Sequence, residues 1–527
     1  MWPDTLLFVG LAVVYLVGNA TAPLFDRDEP RYALTSLAML ESGDYVVPRL
    51  LGEVRTAKPP ATYWLQAAAM SVFGVNAFAV RLPGTMACLA AVALLRYGAA
   101  GIVGRRRARW ASFFLGTSTL TLGAAKVGVT DGPLLPCAVL VLLGFLHARR
   151  GGERAWWLIA IGLGIGGLIK GPVLLGVAVS TAAAAWIFDW RADRERRWLR
   201  RLRPMPTFLV AVAINLPWLV AVTLREPGFI GTAFGHDVLS RSARGLEGHG
   251  QPPGFHTLLL PATLFPWSLL LIETFVTPRR RPWQFMCLAA IVGPLVMFEL
   301  IATKLPHYLL PVFPALTLLM GGWAARATAG RRIVPRAGRI VAGVVVFGVC
   351  LTVAVGSNAL ALSSPGWSRV LVVGAGVAAM VAWWGRSMKT ALVVTGIAWP
   401  LVAIVAFSQW VHRVPPLTLS QRVADAVPLD HGNVGMIEYK EPSLAWYAGQ
   451  RGVAVREATP AALDDPAMRW AVITEEAWQA SDARDGWAVV GRVGATLYND
   501  GGRDEAVLVM HRGTAVRERV DAAKDAG

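Results

Sequence analysis

The sequence predicts an α-helical polytopic membrane protein with about 13 transmembrane helices, juxtamembrane helices on the outer face and a small C-terminal α/β domain. Three observations predict it. Of 527 residues, 55% are hydrophobic and only 16% charged, with a mean hydropathy of +0.48; a soluble domain carries about 25% charged residues. Apolar runs of spanning length recur from the N-terminus to about residue 410. Beyond that, short Val/Ile-rich runs alternate with Ala-rich stretches and turn residues such as "NDGG".

The first run, "TLLFVGLAVVYLVGNA", predicts a helix over 4–20. "GNATA" has the small residues of a cleavage site, but the leading "MWPD" lacks the basic stretch of a signal peptide, so the run reads as a retained helix. Further helices are predicted over 80–103, 110–125, 130–148, 155–169, 171–188, 205–224, 256–276, 283–301, 307–325, 339–356, 369–385 and 390–410. Cys88, Cys137, Cys287 and Cys350 each lie inside an apolar segment without metal-ligand spacing, and read as buried thiols.

Charge bias orients these helices. The loops "GRRRARW", "HARRGGER", "DWRADRERRWLRRLRP", "TPRRRPW", "RATAGRRIVPRAGR" and "GRSMKT" are Arg-rich. They alternate with "AAKVGVTDG", "IKGP", "ATKLPHY" and "NALALSSPGW", which are free of Arg. The positive-inside rule puts the first set in the cytoplasm. The net charge of +17 is therefore a topology signal and does not indicate nucleic-acid binding. The N-terminus is expected inside, with the 21–79 loop, the 225–255 loop and the tail outside. The expected domains are a membrane domain over 1–412 and an outer α/β domain over 413–527, frayed after about residue 513. A phosphatase fused after Ser420 should be active outside the cell, and one fused within 190–203 should be inactive; an inactive fusion at Ser420 would move the tail to the cytoplasm.

With this topology, the unusual polar residues gather on one face. They are Asp28, Glu29, Lys58, Lys126, Asp131, Lys170, Arg241, His249, Lys304, His307 and Tyr308. Ionisable groups at membrane depth are costly and are kept mostly for function. Acids beside several cations suit a site that handles an anion and moves a proton. Each has a plainer reading as well. Asp26 and Glu29 fit a capping box for a helix through "PRYALTSLAML", with Pro30 in its first turn. Asp28 and Asp131 could cap their own helices. Lys58, Lys170 and Lys304 sit at membrane edges and could snorkel, and His307 could be a packing residue. His236, Arg244 and Glu247 read as solvated loop residues.

Together "DRDEPRYA", "GDYVVPRLLGEVRTAKPPATYWLQ", "FGVNAFAVRLP", "TDGPLL", "TKLPHYLLPVFPAL" and, in the tail, "EYKEPSLAWYAGQ" resemble the bacterial aminoarabinose transferases. These are polyprenyl-phosphate-dependent C-type glycosyltransferases related to the protein O-mannosyltransferases. The resemblance implies a multi-pass protein of the bacterial inner membrane that inverts the anomeric carbon. Its donor would be a sugar on undecaprenyl phosphate, and its acceptor lipid A, another glycolipid or polysaccharide, or a protein. The family's catalytic acids map onto Asp28 and Asp131, and its donor-phosphate ligands onto Lys58, Arg241 and Tyr308. Glu29, Arg31, Tyr32, Lys304 and His307 would support them. No cofactor is implied with certainty; a divalent metal is left open, its ligands unknown. Where the family commonly reads "YFEKP", this chain reads "RTAKP", placing Arg55 and Ala57 where an aromatic and an acid stand.

Two other functions compete: a protein O-glycosyltransferase of the mannosyltransferase type, and a flippase for a polyprenyl-linked sugar. The flippase is disfavoured because the sequence has neither repeated halves nor paired broken helices. In the enzyme reading, the five charges between Asp26 and Arg31 mark where the chain leaves the bilayer at the rim of a cavity, and Asp28 sits on that rim.

Overall fold

The computed structural model describes residues 3–191, 197–233, 235, 250–278, 281–330, 334–359, 366–411, 415–426, 434–439, 441–481, 486–497 and 503–512. Arg241, His236, Arg244, Glu247, His249 and the tail after 513 lie outside them.

Every apolar run predicted to be helical falls on helix. Among the described residues, 9 helices are long and apolar enough to cross a membrane. The remaining runs depart from a single straight span. Asp4–Leu16 and Ala155–Lys170 are shorter, and the run over 110–125 breaks at Ser118 into Arg105–Thr117 and Thr119–Ala124. The run over 256–276 is a pair, Phe255–Leu264 and Trp267–Phe275, bent by 109°. Pro266 stands at that bend and cannot donate the backbone hydrogen bond a continuous helix needs.

Asp131–Arg150 and Pro306–Ala327 are 83% buried over their apolar windows, whereas Trp198–Arg225 is 17% buried. The first two are the centre of the bundle, and the third turns most of its apolar side chains outward, as a lipid-facing helix does. Close approach at the centre depends on small residues. A Cβ on Gly132 would lie 2.9 Å from both the Ala124 carbonyl oxygen and the Gly84 Cα, so glycine here lets the helix that starts at Asp131 cross the Ala77–Gly98 helix.

The segment that follows the first helix is clamped by a buried ion pair. Arg81, inside the Ala77–Gly98 helix, donates from Nε and Nη2 to the Glu29 carboxylate at 2.7 and 2.8 Å. Its remaining hydrogens go to the carbonyls of Asn19, Ala22 and Pro23. Glu29 also accepts from the Phe25 and Gly128 amides at 2.9 and 2.8 Å. Both side chains are 0% exposed. Removing one partner of such a pair strands the other charge, at a cost of about 3–5 kcal/mol.

The C-terminal unit is a five-stranded sheet in the order Val455–Ala458, Val434–Ile437, Trp470–Thr474, Arg503–Arg512, Trp487–Leu497. The first three strands are parallel and the last two pair antiparallel. Alternate residues feed two faces. Met436 and Val472 pack under the Pro415–Ala426 helix through Leu419 and Val423, while Ile437, Ala471 and Ile473 pack with Leu463 and Met468.

Candidate active site

Four short segments meet at one cavity of about 390 Å³. "AKPP" brings Lys58, and its two prolines lead into the Ala61–Phe73 helix. Asp131 opens the Asp131–Arg150 helix, where the helix dipole favours a carboxylate. Lys170 ends the Ala155–Lys170 helix, where the dipole favours a cation. Gly171 follows with φ 63° and turns the chain away. Pro306 opens a 3₁₀ turn that presents His307 and Tyr308.

The polar end is tightly organised. Lys170 Nζ donates to Asp131 Oδ1 at 2.7 Å, and His307 Nε2 lies 3.7 Å from Asp131 Oδ2. Lys170 Nζ also lies 5.2 Å from the centre of the Tyr308 ring. That ring packs against His256 and Phe298, with centroids 6.3 and 6.0 Å away. Lys58 and Asp28 are both within electrostatic reach of His307. Most of the remaining wall is apolar: Leu134, Leu163, Phe208, Val212 and Leu219 run along it. An anionic head and a long hydrocarbon tail would fit this combination.

Asp28 begins the Asp28–Ser42 helix beside this end. Its side chain is 62% exposed, with Arg31 Nη1 3.9 Å away. Tyr32, buried on the next turn, packs at a tilt on Tyr63 with centroids 5.4 Å apart; burial pushes its phenol pKa up.

Other sequence expectations are redirected. The capping box does not form: Arg27 occupies the N-cap position without a side-chain bond. Asp26 bonds instead to the amide and hydroxyl of Ser443 in the C-terminal unit, and Glu29 is spent on Arg81, away from the cavity. Lys304 is buried and does not line the cavity; its Nζ holds the carbonyls of Gln251 and Ile301 at 2.9 and 2.7 Å. Lys126 is likewise turned away, donating to the Val17 carbonyl at 2.6 Å. Lys170 is not a snorkelling residue but part of the site. All four cysteines are buried free thiols. Among the described residues, no group of three or more His, Cys, Asp or Glu side chains could hold a metal.

The C-terminal unit docks next to Asp28. Besides the Asp26–Ser443 bonds, Leu24 N–H donates to Tyr447 Oη at 2.9 Å, and Arg27 lies 3.6 Å from Glu441. Burial, and then the Glu441 charge, raise the Asp26 carboxyl pKa from 3.8 to about 7. A raised carboxyl pKa means that the folded state binds more protons than the unfolded chain between these values, so this contribution is present below pH 3.8 and lost as pH passes about 7. Thermal unfolding of the purified protein across that interval should show stability falling with pH more steeply than in Asp26→Asn. Identical profiles would contradict the assignment.

Comparison with known proteins agrees with this architecture. Residues 57–220 match the profile of the dolichyl-phosphate-mannose-protein mannosyltransferase family. An undecaprenyl phosphate-alpha-4-amino-4-deoxy-L-arabinose arabinosyl transferase of Pseudomonas aeruginosa is 30% identical over 444 residues, covering 80% of this chain and 78% of the relative. The enzyme of that name from Serratia proteamaculans is 32% identical over 62% of this chain and 60% of its own length. The crystal structure of ArnT from Cupriavidus metallidurans bound to undecaprenyl phosphate superposes with a TM-score of 0.75 at 20% identity, over 96% of this chain and 98% of that one, and so shares the fold. The chain belongs to the undecaprenyl phosphate-aminoarabinose arabinosyl transferase family and is a membrane glycosyltransferase.

Proposed function

We propose that the protein moves a sugar, an aminoarabinose by family membership, from undecaprenyl phosphate to lipid A or a similar envelope glycolipid. The reaction takes place at the periplasmic face of the inner membrane. The N-terminus is cytoplasmic and the C-terminal domain, 413–527, periplasmic. One observation carries this reading: a single cavity joins Lys58, Lys170, His307 and Tyr308 to a long apolar wall. The wall takes the isoprenoid tail. The cations and the Tyr308 hydroxyl stabilise the charge that develops on the departing phosphate, with Arg241 as a further ligand from the 225–255 loop. Asp131, bonded to Lys170, holds that cation in place. Asp28, accessible and outside this ion pair, takes the proton of an acceptor hydroxyl, or positions a phosphate acceptor that needs no deprotonation, as the acceptor oxygen bonds to the anomeric carbon and the bond to the polyprenyl phosphate breaks.

Mass spectrometry of lipid A, envelope polysaccharide and secreted proteins, with and without the gene, tests this. The expected result is loss of a sugar-sized mass from the glycolipid fraction alone. A change confined to secreted proteins would favour a protein O-glycosyltransferase.

A further inference from the structure

His256 stands one layer behind the cavity, on the Phe255–Leu264 helix. Phe298 and Tyr308 line the cavity and His256 does not. Its imidazole is 0% exposed and lies among rings. Tyr308 is within 24° of parallel to it, Phe255 packs edge-on at 5.4 Å and Phe298 lies 6.2 Å away, measured between centroids. A buried polar ring costs free energy unless it is hydrogen-bonded. His256 Nε2 lies 3.2 Å from the Leu305 carbonyl oxygen. A carbonyl only accepts, so Nε2 carries the hydrogen. Nδ1 has no hydrogen-bond partner among the described residues, which leaves Leu305 as the imidazole's one hydrogen bond.

The same carbonyl closes the turn that presents Tyr308. The Tyr308 amide donates to it at 3.1 Å, where Leu305 leads into the 3₁₀ turn Pro306–Val312. One oxygen thus takes two hydrogens, one from the turn itself and one from a separate helix. That helix is fixed in its own right: Glu299 accepts from the Gly254 and Thr257 amides at 2.8 and 2.9 Å. Tyr308 is therefore held at two points by His256, at its backbone through Leu305 and at its ring by packing.

We propose that His256 is a positioning residue for the donor: its Nε2–H and its ring hold Tyr308 where the phenol hydroxyl meets the polyprenyl phosphate. This rests on the reading of Tyr308 as a phosphate ligand. His256 acts through Tyr308 alone, because it does not reach the cavity, and the transfer itself is unchanged.

The test is equilibrium binding of undecaprenyl phosphate and undecaprenol to the parent, His256→Phe, Tyr308→Phe and the double variant, in one detergent. Phe fills the imidazole's place among apolar rings, and the Leu305 carbonyl keeps the Tyr308 amide, so no buried acceptor is stranded. His256→Phe should weaken phosphate binding at least about fivefold, the share of one hydrogen bond, and leave undecaprenol within about twofold of the parent. In the Tyr308→Phe background the same change should cost less than about twofold, because the hydroxyl it positions is already gone. His256→Leu carries the same comparison if the Phe variant fails to fold. Unchanged phosphate affinity, equal losses for both lipids, or the same loss with and without the Tyr308 hydroxyl would overturn the proposal. If Tyr308→Phe alone binds the phosphate as the parent does, the reading of Tyr308 as its ligand falls, and the role of His256 with it.

Discussion

Asp28→Asn is expected to lower sugar transfer by roughly two to four orders of magnitude, the usual contribution of a general base, while the yield of folded protein stays at the parental level. The structure separates the chemical role from the structural one. Arg27, not Asp28, holds the N-cap position. The carboxylate is 62% exposed and its ion pair with Arg31 is long, at 3.9 Å; exposed pairs contribute at most about 1 kcal/mol. Neutralising Asp28 therefore removes a proton acceptor and little else. Its neighbours behave differently. Glu29→Gln would strand the buried Arg81 guanidinium and should reduce folded protein. Asp26→Asn keeps an acceptor for Ser443 and should be mild. Transfer is measured from a polyprenyl-phosphate-linked donor in detergent and normalised to protein that elutes as a folded species. Near-parental transfer by Asp28→Asn would exclude it as the base and redirect attention to Asp131.

Lys58→Met should weaken undecaprenyl phosphate binding by roughly 30-fold to a few thousand-fold, corresponding to the 2–5 kcal/mol lost when a buried charged hydrogen bond loses one partner. Met preserves the length and apolar stem of the side chain, so the cavity wall stays filled. Lys58 also supports the Asp131 carboxylate electrostatically. Some of the loss thus reflects a site less positive overall. Lys304→Met is the contrasting variant. That ammonium holds two backbone carbonyls, of Gln251 and Ile301, so its loss should lower thermal stability and leave the affinity of the folded fraction near parental.

The apolar segments were legible because spanning length and hydropathy are local properties. So were Lys58, Asp131, His307 and Tyr308, each of which stands where proline or a helix terminus marks the membrane edge. Two features were not. "D-R-D-E" reads locally as a capping box, but both flanking carboxylates are claimed by distant partners, Ser443 for Asp26 and Arg81 for Glu29. Nothing near either acid in the chain announces those contacts. Arg81 itself left a signal, a charge within an apolar helix, which requires a buried partner. Lys170 and Lys304 look alike in sequence, both ending apolar segments. Only the packing decides that one meets Asp131 and the other ties down a loop.

The central claim is that the cavity recognises a polyprenyl chain by its phosphate. Its most direct test is equilibrium binding of undecaprenyl phosphate and undecaprenol, which differ only in that group, to the purified protein in one detergent. The phosphate should bind at least about thirtyfold more tightly than the alcohol, and Lys58→Met should remove most of that difference while leaving the affinity for the alcohol in place. Equal affinity of the parent protein for both lipids would contradict the account.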